Sequence, residues 1–251
     1  MKEFQLDERR TIVFPGNAQE TLRFAVEQWA KIANTAIAKH GCFTVALSGG
    51  STPKKIFQEL SNNYVDKIDW GKVFLFWSDE RSVTPDSSES NYHMAMEEGG
   101  LKRLHIPDDH IFRMVAEKNI ESNSAAYEKY ININVKNNSF DLIMLGMGDD
   151  GHTASLFPNT DALYVKGKLV TPNHIPKKDT WRMSFTFECI NNAQNIYIYV
   201  LGASKSATLS HVLLSPPQFE TYPSQKVGTA DHKATWIVDE EASKNLLASI
   251  K

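Results

Sequence analysis

Apolar residues recur along this chain in two alternating rhythms. Leu22, Val26, Trp29, Ala33 and Ile37 fall at helical spacing and predict an amphipathic helix over residues 18–39. Asn17 precedes it with Glu20 three residues on, the spacing of a capping box, and His40-Gly41 ends it. Phe43–Leu47 then reads as a buried strand. Pro53 suits the first turn of a helix running to about Leu60, with Thr52 as its cap. Val73–Trp77 reads as a strand, Ser90–Leu104 as a helix starting near Ser90 or Asn91, and Ser122–Ile131 as another helical stretch. Strands at Asp141–Leu145, Ile196–Leu201 and Ala234–Val238, with helices at Ser204–Leu214 and Glu240–Ser249, complete the series.

Strands that alternate with helices imply the α/β class, a mostly parallel β-sheet covered by helices on both faces. Two stretches interrupt the rhythm. Residues 159–182 are long, polar and weakly periodic, and residues 215–232, with Pro216-Pro217 and Pro223, look irregular. Long loops in compact domains are often functional. With no repeat, low-complexity tract or linker, residues 1–251 read as a single domain.

Composition removes several classes of function. The chain has 251 residues, 41% hydrophobic and 23% charged, an ordinary globular balance. A net charge of −3 argues against a nucleic-acid footprint, yet leaves room for a small cationic pocket. Cys42 and Cys189 lie far apart without a CxxC pair, and Cys42 opens an apolar run, so it reads as a reduced core thiol. The first residues lack the apolar core of a signal peptide, and no run approaches the roughly 20 apolar residues of a membrane helix. A cytoplasmic protein with no membrane or nucleic-acid partner is expected, a monomer being favoured.

The chemistry concentrates where strands break. Leu142–Leu145 runs into Gly146-Met-Gly-Asp-Asp-Gly-His-Thr-Ala-Ser-Leu-Phe-Pro158, which places polar side chains at the carboxyl edge of a parallel sheet, where open α/β folds bind ligands. His152 follows Asp149 and Asp150, either of which could fix its tautomer; a general base is expected there. A capping or core histidine is the alternative. Ser48-Gly49-Gly50-Ser51-Thr52 joins a strand to a helix start, a combination that suits a phosphate but also serves as a plain tight turn. It lacks the dinucleotide and Walker patterns. Asp79-Glu80-Arg81 follows another strand, and all three are expected to face the same crevice as His152. Arg81 could clamp an anion or stabilise an oxyanion; the three could equally form a solvated salt-bridge cluster.

No GxSxG elbow offers a nucleophilic serine, and neither cysteine is expected to act as a nucleophile. His105 and His110 do not match metal-ligand spacing, and no HExxH occurs, so no metal or other cofactor is implied. A hydrolase built here would activate water directly.

GMGDDGHTASLFP, together with Leu47-Ser-Gly-Gly-Ser-Thr-Pro53 and Ser78-Asp-Glu-Arg-Ser-Val83 leading to Ser90-Asn91, resembles the 6-phosphogluconolactonases, in the wider group that includes glucosamine-6-phosphate deaminases. The likeness runs from about residue 41 to 240. It implies a Rossmann-like three-layer sandwich that hydrolyses a small-molecule sugar-phosphate lactone, 6-phospho-D-glucono-1,5-lactone, without a cofactor. His152, Arg81 and Asp150 would form the catalytic set. Ser48, Gly49, Gly50, Ser51, Thr52, Asp79, Arg182 and Lys205 would bind substrate, the last two by their likeness to the family's arginine and its GxxK segment. How these groups divide phosphate and carbonyl oxygen stays open, and Lys205 could be a surface lysine.

Departures matter too. Thr84 and Ser87-Ser88 stand where the family often has Pro, His and Pro, and Pro176-Lys177-Lys178-Asp179 has lost prolines usual there. The deaminases carry Glu where this chain has Phe157, and an apolar ring cannot relay protons. A sugar-phosphate-sensing regulator is a further alternative, but residues 1–16 are too short for the helix-turn-helix that precedes such a sensor.

Overall fold

Short apolar runs bury into one sheet in the computed structural model, which describes residues 1–249. In chain order the strands are β1 Lys2–Gln5, β2 Arg10–Phe14, β3 Phe43–Leu47, β4 Val73–Trp77, β5 Asp79–Arg81, β6 Leu142–Gly146, β7 Val170–Ile175, β8 Thr180–Phe185, β9 Ile196–Val200 and β10 Ala234–Val238. The helices are α1 Ala18–His40, α2 Ser51–Asn63, α3 Asn91–His93, α4 Ile120–Asn134, α5 Phe187–Ile190, α6 Ser206–Leu214 and α7 Lys244–Ser249. Seven strands form the main sheet in the order β1-β2-β10-β9-β6-β3-β4. All its pairings are parallel except β1 with β2. This is the expected α/β architecture, a mainly parallel sheet flanked by helices.

Every residue of β3 is buried, as a central parallel strand requires. Asn17 accepts from the backbone of Gln19 and Glu20 while the Glu20 carboxylate accepts from Asn17 N–H, so the expected capping box forms. Trp29 anchors α1 in the core, its ring 4.9 Å from Phe43 and 5.5 Å from Trp70. Truncating this side chain to Ala would cost roughly 3–5 kcal/mol.

The topology locates a crevice. From β3 the chain moves outward to β4, then returns past β3 to β6 and continues the other way to β9 and β10. The order therefore reverses between β3 and β6, and ligands bind outside the carboxyl ends of strands at such a switch point. The Ser48–Thr52 loop and the Gly146–Pro158 segment both leave the sheet there.

Several elements differ from expectation. The polar stretch 159–182 contains β7 and the first half of β8, an antiparallel pair that joins β5 in a separate three-stranded sheet ordered β5-β8-β7. Ser78 couples the two sheets: its N–H donates to Leu47 O and its carbonyl accepts from Phe185 N–H, both at 2.8 Å. Residues 90–104 are not one helix. α3 passes directly into a π-helical turn, Met94–Glu98, and the chain then turns through Gly100 at φ 78 into a 3-10 turn, Leu101–Arg103. The α2 helix begins at Ser51 with Gly50 (φ 105) in the cap position, so Thr52 lies inside its first turn. Cys42 is half-buried and Cys189 fully buried; both are free thiols.

Candidate active site

The backbone after β6 folds His152 back over its own turn. Gly151 adopts φ 76, and Gly148 N–H donates to His152 O at 2.9 Å. A Cβ on Gly148 would lie 2.1 Å from His152 Nδ1, so only glycine admits the ring. Asp150 Oδ1 then sits 2.5 Å from His152 Nδ1. With that nitrogen facing a carboxylate, the proton of the neutral imidazole belongs on Nδ1 and the lone pair on Nε2. Burial raises the Asp150 carboxyl, but the hydrogen bond and charge of His152 outweigh it and bring it down to about 2. Asp150 therefore stays ionised at neutral pH, and it is the carboxylate that orients His152. Asp149 points elsewhere, to Lys205 Nζ at 2.5 Å. The ring of Phe157 stacks on the imidazole, centroids 3.9 Å apart and planes 20° apart.

Strand alternation divides Asp79-Glu80-Arg81. Asp79 and Arg81 line the cavity beside His152, whereas Glu80 does not, contrary to expectation. Glu80 is buried and accepts from the Ser90 hydroxyl (2.9 Å) and from the backbone N–H groups of Arg81, Asn91 and Tyr92 (2.7–2.8 Å), holding the start of α3. Burial raises its carboxyl, and these four bonds only partly offset that. Asp79 accepts from the Ser155 hydroxyl at 2.6 Å and from Asn91 Nδ2 at 3.2 Å. The Asn91 side chain passes so close to Gly49 that a Cβ there would lie 1.9 Å from its Oδ1.

Arg81 and Arg182 are direct partners across the β5–β8 pair. Like charges placed opposite one another destabilise a sheet. Arg81 donates to Glu89 O, while Nε and Nη1 of Arg182 are buried without a hydrogen-bond partner. Burial and then the charge of Arg81 lower the proton affinity of Arg182. Two guanidinium groups, one with idle buried donors, make a site that favours an anion.

Ser48, Gly49, Gly50, Asp79, Arg81, His152 and Arg182 thus converge on one cavity of about 230 Å³. Four predicted residues lie off its wall, and of these Asp150 acts on the site only through His152. Ser51 and Thr52 open α2, and Lys205 sits at the N-terminal end of α6. A cation is unfavourable at that end of a helix; its ion pair with Asp149 offsets the cost.

The cavity also takes Asn91, Ser155 and Lys178, which were not singled out as site residues. Asn91 and Ser155 sit inside the motifs themselves. Lys178 had no such signal, because a hairpin tip in a polar stretch shows no periodicity. A larger groove of about 720 Å³ lies at the opposite edge of the sheet, around His40, Cys42 and Asp141. Asp141 pins His40 Nε2 at 2.8 Å and Thr44 N–H and Oγ1 at 2.8 and 2.9 Å, a structural clasp that the sequence did not reveal. Burial pushes the Cys42 thiol up, so it is poorly nucleophilic. Among the described residues, no three His, Cys, Asp or Glu side chains cluster to hold a metal ion.

The family described as Glucosamine-6-phosphate isomerases/6-phosphogluconolactonase matches residues 16–236. The chain belongs to this family. It is 42% identical to the 6-phosphogluconolactonase of Chlamydia pneumoniae over 87% of this chain and 83% of that one. With the 6-phosphogluconolactonase of a Nostoc species it shares 38% identity, over 85% of this chain and 88% of the relative. The crystal structure of 6-phosphogluconolactonase from Thermotoga maritima superposes with a TM-score of 0.79 at 27% identity, covering 92% of this chain and all of that one. No helix among the described residues is long and apolar enough to cross a membrane.

Proposed function

We propose that this chain hydrolyses 6-phospho-D-glucono-1,5-lactone to 6-phosphogluconate in the oxidative pentose phosphate pathway, in the cytoplasm. Relatives at up to 42% identity bear the name of that enzyme. The observation that carries the mechanism is the Asp150–His152 contact beside the Arg81–Arg182 pair in a single cavity.

Nε2 of His152 takes a proton from water as the water oxygen bonds to the lactone carbonyl carbon. The tetrahedral intermediate carries its charge on the former carbonyl oxygen, and preorganised cations and N–H groups stabilise it. It collapses by breaking the bond to the ring oxygen, which leaves as a hydroxyl on accepting the proton from His152. The carboxylic acid so formed releases the second water proton to solvent and stands as a carboxylate. Lactone esters are reactive enough for one base and one oxyanion stabiliser to suffice. Arg81, Arg182 and the Ser48–Gly50 backbone share the phosphate and the carbonyl oxygen. Asp79, fixed by Ser155 and Asn91, presents a carboxylate that suits the sugar hydroxyls. Lys205 reaches the phosphate only on leaving Asp149.

Deaminase chemistry is disfavoured by the ring of Phe157, which occupies the place next to His152 where a relay carboxylate would be needed. A pH-stat assay on freshly made 6-phosphogluconolactone, corrected for spontaneous hydrolysis, tests the proposal. Acid release at the uncatalysed rate would overturn it.

A further inference from the structure

We propose that Lys178 is a substrate-contacting residue that stabilises the negative charge arising on the lactone carbonyl oxygen. The proposal rests on the lactonase reading above. Lys178 belongs to a 3-10 turn, Pro176–Lys178, at the tip of the β7–β8 hairpin, and it lines the cavity with His152, Arg81 and Arg182. Its ammonium lies 5.1 Å from the centroid of Phe157, the ring that stacks on His152. One aromatic ring therefore touches both the base and this cation.

Lys205 is held by Asp149 and Arg81 donates to Glu89 O, whereas the idle donors of Arg182 are buried on the β5–β8 pair and Lys178 stands on an exposed turn. Among the described residues, no carboxylate pairs with Lys178, and Asp179 beside it lies 3.5 Å from His174. A cation held at an exposed site only by a π-face is held weakly, so it is readily given up to a charged oxygen. The stem is long and the turn exposed, which allows the ammonium to follow charge as it develops. Water attack beside His152 converts a neutral carbonyl into an oxyanion and then a carboxylate. A cation on that wall interacts more strongly with those states than with the substrate, and this difference is what accelerates a reaction.

The test compares wild type with Lys178→Gln and Lys178→Arg, using 6-phosphogluconolactone and non-phosphorylated gluconolactone. Lys178 is exposed on a turn, so both variants should fold; circular dichroism verifies this. For Lys178→Gln, kcat should fall about tenfold on both lactones with KM nearly unchanged. That loss is smaller than the roughly 10²–10³ of a buried oxyanion donor, because water screens an exposed ammonium. Inhibition by 6-phosphogluconate, whose carboxylate resembles the developing charge, should weaken several-fold, and Lys178→Arg should restore most of kcat. Unchanged kcat would reduce Lys178 to a surface lysine. A loss confined to KM for the phosphorylated lactone would make it a phosphate ligand, and either result overturns the proposal. The underlying lactonase reading fails separately, if wild type itself shows no catalysed hydrolysis.

Discussion

The imidazole of His152 and the ring of Phe157 lie nearly parallel, 20° apart, with centroids separated by 3.9 Å. Together with the 2.5 Å contact from Asp150 to Nδ1, the stack fixes the imidazole both in its plane and above it. Among the described residues, Nε2 has no protein partner. A base held on one edge and one face, with its second nitrogen free, is poised to activate water rather than to relay protons through the protein.

His152→Ala should lower kcat by roughly 10²–10⁴, the range for losing general acid–base catalysis, without unfolding the chain. Turnover at the wild-type rate in this variant would remove His152 from the mechanism.

Phe157→Glu tests the boundary within the family. Phe157 is 7% exposed, and burying an unpaired carboxylate there costs stability. Thermal melting should shift down, with no ammonia released from glucosamine-6-phosphate. Measurable deaminase turnover would show that one carboxylate is enough to switch the chemistry.

Asp150 supplies a pH signature. Its folded value of about 2 lies below the ordinary 3.8, so its contribution to stability is present above pH 3.8 and is lost as pH falls through about 2. It is about half exposed, so solvent screening keeps that contribution small. Throughout the neutral range Asp150 remains ionised, and any acid limb of the rate profile above pH 4 belongs to another group. Asp150→Asn should lower kcat by less than the roughly 10⁴ known for a buried orienting aspartate in a serine-protease triad. An Asp150→Asn rate profile identical to wild type would remove its orienting role.

Arg182 should separate stability from function. Its buried, unpartnered donors and its position opposite Arg81 weigh against the free protein. Arg182→Met should raise the melting temperature by about 2–4 °C, the shift expected for a gain near 1 kcal/mol in a chain of this size. It should also raise KM for the phosphorylated lactone. A lowered melting temperature would mean that Arg182 is satisfied in the free protein.

Five of the seven main-sheet strands were legible in the sequence because they are apolar on both faces and bounded by glycine or polar turns, whereas the exposed, polar β1 and the short β2 beside it gave no such pattern. β3 and β4 run over the residues their apolar runs predict, and β6 lies one residue further along. The second sheet was not legible. β5 is Asp-Glu-Arg, and β7 carries Pro172, Asn173 and His174, so their pattern comes from lining a cavity rather than filling a core. The same property concealed the role of Glu80. Three adjacent charges look alike in sequence, and only the strand pleat sends the middle one away from the crevice. His152 was readable because glycine and acid surround it, whereas Asp150 was distinguished from Asp149 only by the turn that brings it to Nδ1.

The central claim is that one cavity joins a water-activating histidine to an anion site. The most direct measurement is kcat/KM for 6-phosphogluconolactone and for gluconolactone under identical conditions in a pH-stat, with the spontaneous rates subtracted. A phosphomonoester carries about −1.5 to −2 charges at pH 7 and should engage Arg81 and Arg182 directly. The account predicts a much larger kcat/KM for the phosphorylated lactone; equal values for the two would contradict it.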